Sequence, residues 1–186
     1  MKTRRAIFSL AVVFIFLTAA AFSGCIDEKE LETYDQNKEL PPGEPDFPPQ
    51  KVYGIVDPHN VLSQQAEEES FAIIDKLKQD GIAEVTVLVQ LNVSDPDTYA
   101  NTYGRFIELG EKGKNNGLVW LIRPDVSPEK NRITVAPGRG LPKLTATDTR
   151  QIMEQALDYI NFGNYDRGVV ELIKGTDRKL REKYGK

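Results

Sequence analysis

In 186 residues the sequence has one cysteine, one histidine, one tryptophan and two methionines. A single cysteine excludes an internal disulfide, and beside a single histidine it leaves no Cys/His cluster to hold zinc. No Gly-x-Ser-x-Gly elbow presents a serine nucleophile. Gly138-Arg139-Gly140 is too short for a dinucleotide fingerprint and lacks its third glycine. No internal repeat is visible. The 28 acids outnumber the 24 bases, giving a net charge of −4. That balance suits a soluble surface and argues against a nucleic-acid partner.

What is present begins with a leader. Met1 to Arg5 is a positive n-region, Ala6 to Phe22 is uncharged and apolar, and small residues precede Cys25. This reads as a signal peptide over residues 1–24. The alternative is an uncleaved signal anchor, for which the apolar stretch lies near the lower limit of a membrane span. Phe22-Ser23-Gly24-Cys25 resembles a lipobox, with Phe22 where leucine is usual, so Cys25 is the expected lipidation site. The chain is then expected on the extracytoplasmic face of the cell membrane, held there through Cys25. Cleavage removes Lys2, Arg4 and Arg5 and no acid, so the net charge goes from −4 to −7. Residues 26–50 hold eight acids, two lysines and five prolines with little to bury. Residues 25–50 are accordingly expected to be a disordered, partly extended tether.

Residues 51–186 read as one domain. Lys51–Val56 is a short β-type run, and Asp57-Pro58-His59-Asn60 is turn chemistry. Ser63 caps a helix running to about Asp80, burying Ala66, Phe71, Ile74 and Leu77, with Gly81 as its terminator. Val85–Val89 is a continuous apolar strand. Ser94-Asp95-Pro96 opens a second helix with Tyr99, Tyr103, Phe106 and Ile107 on one face, which reads as core. Leu118–Ile122 and Arg132–Ala136, joined by Pro- and Asp-containing turn residues, read as an antiparallel hairpin. Thr145-x-x-Asp148 is a capping box opening a third helix. Asp166 is expected to cap a last helix whose charged end, from Asp177, frays. Strand, helix, strand, helix, hairpin, helix, helix predicts a three-layer α/β/α sandwich around a mixed, mostly parallel sheet of about four strands. The second crossover is expected to be right-handed.

The hairpin brings the start of its first strand beside the end of its second. Asn115, Asn116 and Gly117 should therefore share a sheet edge with Gly138, Arg139 and Gly140, and this is the expected ligand-binding loop. The glycine pair reads either as a tight turn or as a phosphate cradle. His59 reads as a loop histidine.

Lys114-Asn115-Asn116-Gly117 before an apolar strand, then Arg132-x-x-Val135-x-x-Gly138-x-Gly140-Leu141, resembles the core of the TPM domain family. Val56-Asp57, Val61-Leu62-Ser63 and Gly163-Asn164-Tyr165-Asp166-x-Gly168 extend the match in order over about residues 51–180. The resemblance implies an α/β sandwich and two kinds of activity. One is a divalent-metal-assisted acid phosphatase. In it Asp57, Asn115 and Asn116 would position Ca²⁺ or another divalent cation, and Asp57 and Arg139 are the catalytic candidates. The Gly138–Gly140 backbone would hold phosphate. The other is maintenance of membrane complexes. The family's usual acids are replaced here by Asn115, Pro142 and Ala146, leaving Asp57, so any cation is expected to bind weakly. The favoured reading is a binding or assembly module for envelope or membrane complexes; whether it is also an enzyme stays open. A binder should expose apolar residues beside Gly138–Pro142, an enzyme a polar cleft there.

Overall fold

The computed structural model describes residues 31–40, 47–49 and 53–185. The signal-peptide and Cys25 expectations fall outside them. Among the described residues the elements run β1 (Gly54–Val56), α1 (Gln64–Gln79), β2 (Glu84–Val89), α2 (Pro96–Phe106), β3 (Gly117–Ile122), β4 (Ile133–Pro137), α3 (Ala146–Asn161) and α4 (Tyr165–Tyr184). The sheet order is β1-β2-β3-β4, with the first three strands parallel and β4 antiparallel to β3. The protein is a three-layer α/β/α sandwich with a mixed, mostly parallel sheet.

Local chemistry sets the helix starts. Ser63, Asp95 and Thr145 each accept a backbone N–H in the first turn of α1, α2 and α3, and Thr145 and Asp148 form a complete capping box. Asn164, not Asp166, caps α4, its side chain accepting from Arg167 N. The Asp166 carboxylate accepts instead from Ser63 N at 2.8 Å, tying α4 to the start of α1. Nor does α4 fray from Asp177. Leu180 is fully buried, and the Tyr184 hydroxyl accepts from the backbone N–H groups of Lys143 and Leu144. Phe71, expected in the core, is 41% exposed and packs on Tyr53, ring centroids 5.8 Å apart.

Alternation along the strands divides the core in two. Val85, Val87, Val89, Leu118, Trp120 and Ile122 face α1, α3 and α4. Leu88, Val119, Leu121 and Ala136 face α2. Each fully buried aliphatic contributes about 1.5–3 kcal/mol. Trp120 gives up its one polar group at no loss, since Nε1–H donates to Thr176 Oγ1 at 3.1 Å. Because α1 and α2 lie on opposite faces while the strands step in one direction, the two crossovers have opposite hands. Only one of them obeys the right-handed rule.

α2 alone does not cover its face, and part of the expected tether completes the layer. Tyr34 is 2% exposed within that core, and Phe47 packs on Tyr99, Tyr103 and Phe106 at centroid distances of 5.0, 5.5 and 4.9 Å. The unstructured reading of 25–50 therefore fails for residues 31–40 and 47–49.

Candidate functional site

The hairpin brings together the loop that the sequence predicts. Asn115, Asn116 and Gly117 lie beside Gly138, Arg139 and Gly140 at the edge where β3 begins and β4 ends. Contact here is so close that side chains are excluded. A Cβ at Gly138 would stand 2.2 Å from the Asn115 carbonyl oxygen, and one at Gly140 1.8 Å from that of Lys114. The two glycines serve packing of backbone on backbone.

That packing consumes the groups a phosphate would need. Gly138 N–H donates to Gly117 O at 2.8 Å, Arg139 N–H to Tyr34 O at 3.1 Å and Gly140 N–H to Asn115 O at 2.9 Å. With every N–H of the triplet bonded to a carbonyl, the tight-turn reading holds and the backbone cradle does not form. The Arg139 guanidinium is paired with Asp35 at 3.2 Å. Hydrogen bonds from Asn37 hold the Asp35 carboxyl below its ordinary range, with Arg139 a smaller contributor.

The asparagines are also committed. Asn116 is 6% exposed; its Oδ1 accepts from Glu111 N at 2.8 Å and its Nδ2 donates to Ile82 O at 3.1 Å. It clamps the loop before β3 to the loop before β2. Asn115 sits at φ +53°, a left-handed conformation that asparagine tolerates better than most residues. Its Oδ1 accepts from Gln36 N at 3.0 Å.

Asp57 is elsewhere. It follows β1 at the carboxyl end of the parallel strands, whereas Asn115 and Asn116 precede β3 at the amino end. The registers separate the two levels by about six residues of strand, on the order of 20 Å at ~3.3 Å per residue. Asp57, Asn115 and Asn116 do not share one cation. The carboxylate of Asp57 closes its own loop, accepting from His59 N at 3.2 Å and Leu62 N at 2.7 Å. The Glu67 carboxyl lies near it. Burial first, then the carboxylates of Asp57 and Asp166, push the Glu67 carboxyl up. Among the described residues no three His, Cys, Asp or Glu side chains form a group able to hold a metal ion. His59 is an exposed loop residue, Nε2 lying 3.3 Å from Gln90 Oε1.

No large exposed hydrophobic side chain lies beside Gly138–Pro142 among the described residues; those found are Phe71, Tyr159 and Phe162. An apolar cleft opens instead at the β1 edge. It measures about 760 Å³ and is walled by Tyr53, Ile55, Phe71, Ile107 and Leu109, with Lys78 and Glu84 among its polar residues. Lys78 Nζ lies 3.7 Å from the Tyr53 ring centroid and 3.0 Å from Glu84. The run Tyr53-Gly54-Ile55 hints at this wall. Phe71 reads from sequence as one more core position on α1.

The TPM domain family matches residues 55–179. The chain belongs to that family. Its match begins within β1 and ends in α4, so the sheet and all four helices are the TPM domain, while the packed residues 31–40 and 47–49 lie before it. The fold is shared with three solved structures. The N-terminal domain of a P. gingivalis protein has a TM-score of 0.59 at 19% identity, covering 70% of this chain and 83% of that one. An N-terminal domain from Corynebacterium glutamicum gives 0.52 at 14%, covering 76% and 87%. The BA42 protein of Bizionia argentinensis gives 0.51 at 16%, covering 69% and 87%. At these identities the likeness speaks for the fold alone. No curated protein matches the sequence.

Proposed function

We propose that this TPM domain is a non-catalytic binding or assembly module, held on the extracytoplasmic face of the membrane through a lipidated Cys25, that engages envelope or membrane protein complexes. The observation carrying this reading is the apolar cleft at the β1 edge, with a wall residue, Phe71, 41% exposed. A cleft of that size between an edge strand and a helix fits apolar side chains of a protein partner. Its polar residues suit a partner segment with both apolar and charged groups. The phosphatase alternative draws no comparable support, because its candidate residues are separated or bonded to the protein itself.

The test places a photo-crosslinking residue at Phe71 in the full chain, activates it in native membranes and identifies what is captured. A recurrent partner, absent when the crosslinker is moved to Arg150 on the far side of α3, is the expected result. Capture in proportion to membrane-protein abundance would overturn the reading. The anchor is tested separately by fractionating cells carrying wild type or Cys25→Ser. Equal, uncleaved retention in the membrane would replace the lipid anchor by a signal anchor. A wild-type chain found in the cytosol would remove the envelope setting. Turnover of a generic phosphate ester with Ca²⁺, Mg²⁺ or Mn²⁺, lost in Asp57→Ala, would restore the enzyme.

A further inference from the structure

β4 is an edge strand, and among the described residues its outer edge is only partly used. The backbone bonds to β3 alternate, with Gly138 N–H on Gly117 O and Arg123 N–H on Arg132 O at the two ends of the pairing. Ile133, Val135 and Pro137 therefore turn their backbone groups outward. Of these, Pro137 alone is met among the described residues: Tyr34 N–H donates to its carbonyl at 3.0 Å, and Tyr34 O accepts from Arg139 N–H at 3.1 Å. This is one isolated parallel bridge, Tyr34 with Gly138. Beside Ile133, Thr134 and Val135 the edge borders a cavity of about 260 Å³ that Leu31 and Glu32 line on the other side.

The residue at the bridge sits in a fitted slot. A Cβ at Gly104 would stand 2.7 Å from a Tyr34 ring carbon, and one at Gly117 2.0 Å from its hydroxyl oxygen, so two glycines make room for the ring. The hydroxyl donates to Leu109 O at 3.1 Å, and burial holds the phenol protonated. The next residue places its carboxylate on Arg139. Around this anchor Glu32, Thr33, Asn37, Lys38 and Glu39 are exposed.

We propose that the outer edge of β4, with the Tyr34 slot at its end, is a strand-addition site for an extended peptide segment of a partner protein that carries an aromatic residue followed by an acid, and that residues 33–36 occupy it as an intramolecular competitor. The chain's own segment is the template for the partner: an aromatic ring for the slot, an acid for Arg139, and a backbone parallel to β4. A partner continuing extended before its aromatic residue would also pair with Val135 and Ile133, which the internal segment leaves unpaired among the described residues. Such main-chain bonds supply affinity and the slot supplies specificity. The internal segment lowers the apparent affinity by the fraction of time the slot stays filled. This site lies at the opposite sheet edge from the Phe71 cleft, so either can fail without the other.

The test titrates a labelled synthetic peptide of residues 27–36, DEKELETYDQ, into the full chain in detergent. Tyr34→Ala should bind it at least about tenfold more tightly than wild type, because the competitor has lost its anchor. A peptide with alanine in place of the tyrosine should bind neither chain. A folded Tyr34→Ala chain that ignores the peptide, or binds both peptides equally, overturns the proposal. Should Tyr34→Ala not fold, hydrogen exchange on wild type decides. The Tyr34 and Arg139 amides should exchange at least about a hundredfold faster than the Leu121 amide of β3. Equal rates would make residues 33–36 a fixed strand and sink the idea.

Discussion

The two faces of the sheet are covered in different ways. One carries three helices, α1, α3 and α4, whose apolar stripes meet Val85, Val87, Leu118 and Trp120. The other carries α2 and two pieces of chain without regular structure, which insert Tyr34 and Phe47 beside Leu88, Val119 and Leu121. A helix can cover a face on its own periodicity. A strap covers one through single large side chains, each placed by a few backbone bonds. The first face should fail only with the whole fold, and the second should open locally.

Removing one anchor from each face separates the two kinds of cover. Trp120→Ala deletes a fully buried ring and leaves Thr176 without a donor, which should cost about 3–5 kcal/mol. Tyr34→Ala should cost less, about 2–3 kcal/mol, because the strap can lift away and let water replace its bonds. Urea unfolding followed by far-ultraviolet circular dichroism measures both. A Tyr34 loss equal to that of Trp120 would make the strap a core element like the helices.

The helical face has its own electrostatic fastening, at Asp148. Burial alone would raise this carboxyl, but the Thr145 N–H and hydroxyl and the Lys183 ammonium outweigh it and lower it from 3.8 to about 2. Lys179 and Lys183 reach it from α4 at 3.5 and 3.1 Å. A depressed folded-state value means the stabilisation is present above pH 3.8 and is lost as pH falls toward 2. Its size is on the order of 2 kcal/mol. Asp148→Asn should remove most of that at pH 7 and little at pH 2, read from thermal melts across the pH range. A constant difference would assign the effect to packing.

The site loop draws the same distinction between neighbours. Asn116→Ala leaves the part-buried Glu111 N–H and Ile82 carbonyl without their partner and should cost about 2 kcal/mol. Asn115→Ala loses one bond, to the strap, and a tolerant left-handed residue, together about 1 kcal/mol. Equal costs in urea unfolding would contradict the clamp assigned to Asn116.

Much of this was legible from residues alone. The hairpin, the N-terminal caps Ser63 and Thr145 and the edge shared by Asn116 and Gly138 follow from period, turn chemistry and the antiparallel return. The site's chemistry was not, because the type of a residue does not reveal its partners. Asn116 reads the same whether it ligates an ion or bonds Ile82 O. Asp57 sits in family order beside the loop residues yet folds to the other end of the sheet, since a parallel strand's end and the next strand's start face opposite ways. The strap was hidden by composition. Eight acids and five prolines dominate residues 26–50, while two aromatic residues do the packing. A crossover of the rarer hand has no local sequence signature, being set by which face each helix covers.

Within the strap, an exposed ion pair controls local opening more than overall stability. Arg139 and Asp35 form an ion pair at 3.2 Å, with Arg139 half in water. Exposed pairs of this kind contribute about 0–1 kcal/mol, so Arg139→Ala should barely move the urea midpoint. Yet the pair closes the strap over the loop, next to the backbone bond from Arg139 N–H to Tyr34 O. Removing it should favour strap opening by a few-fold without touching global stability. Proteolysis of the native chain within residues 31–40 should therefore quicken by a similar factor, and added salt should quicken wild type more than the variant, because screening weakens a pair that only wild type has. A variant cut at the wild-type rate at every salt concentration would show that Tyr34 and Phe47 alone hold the second face together.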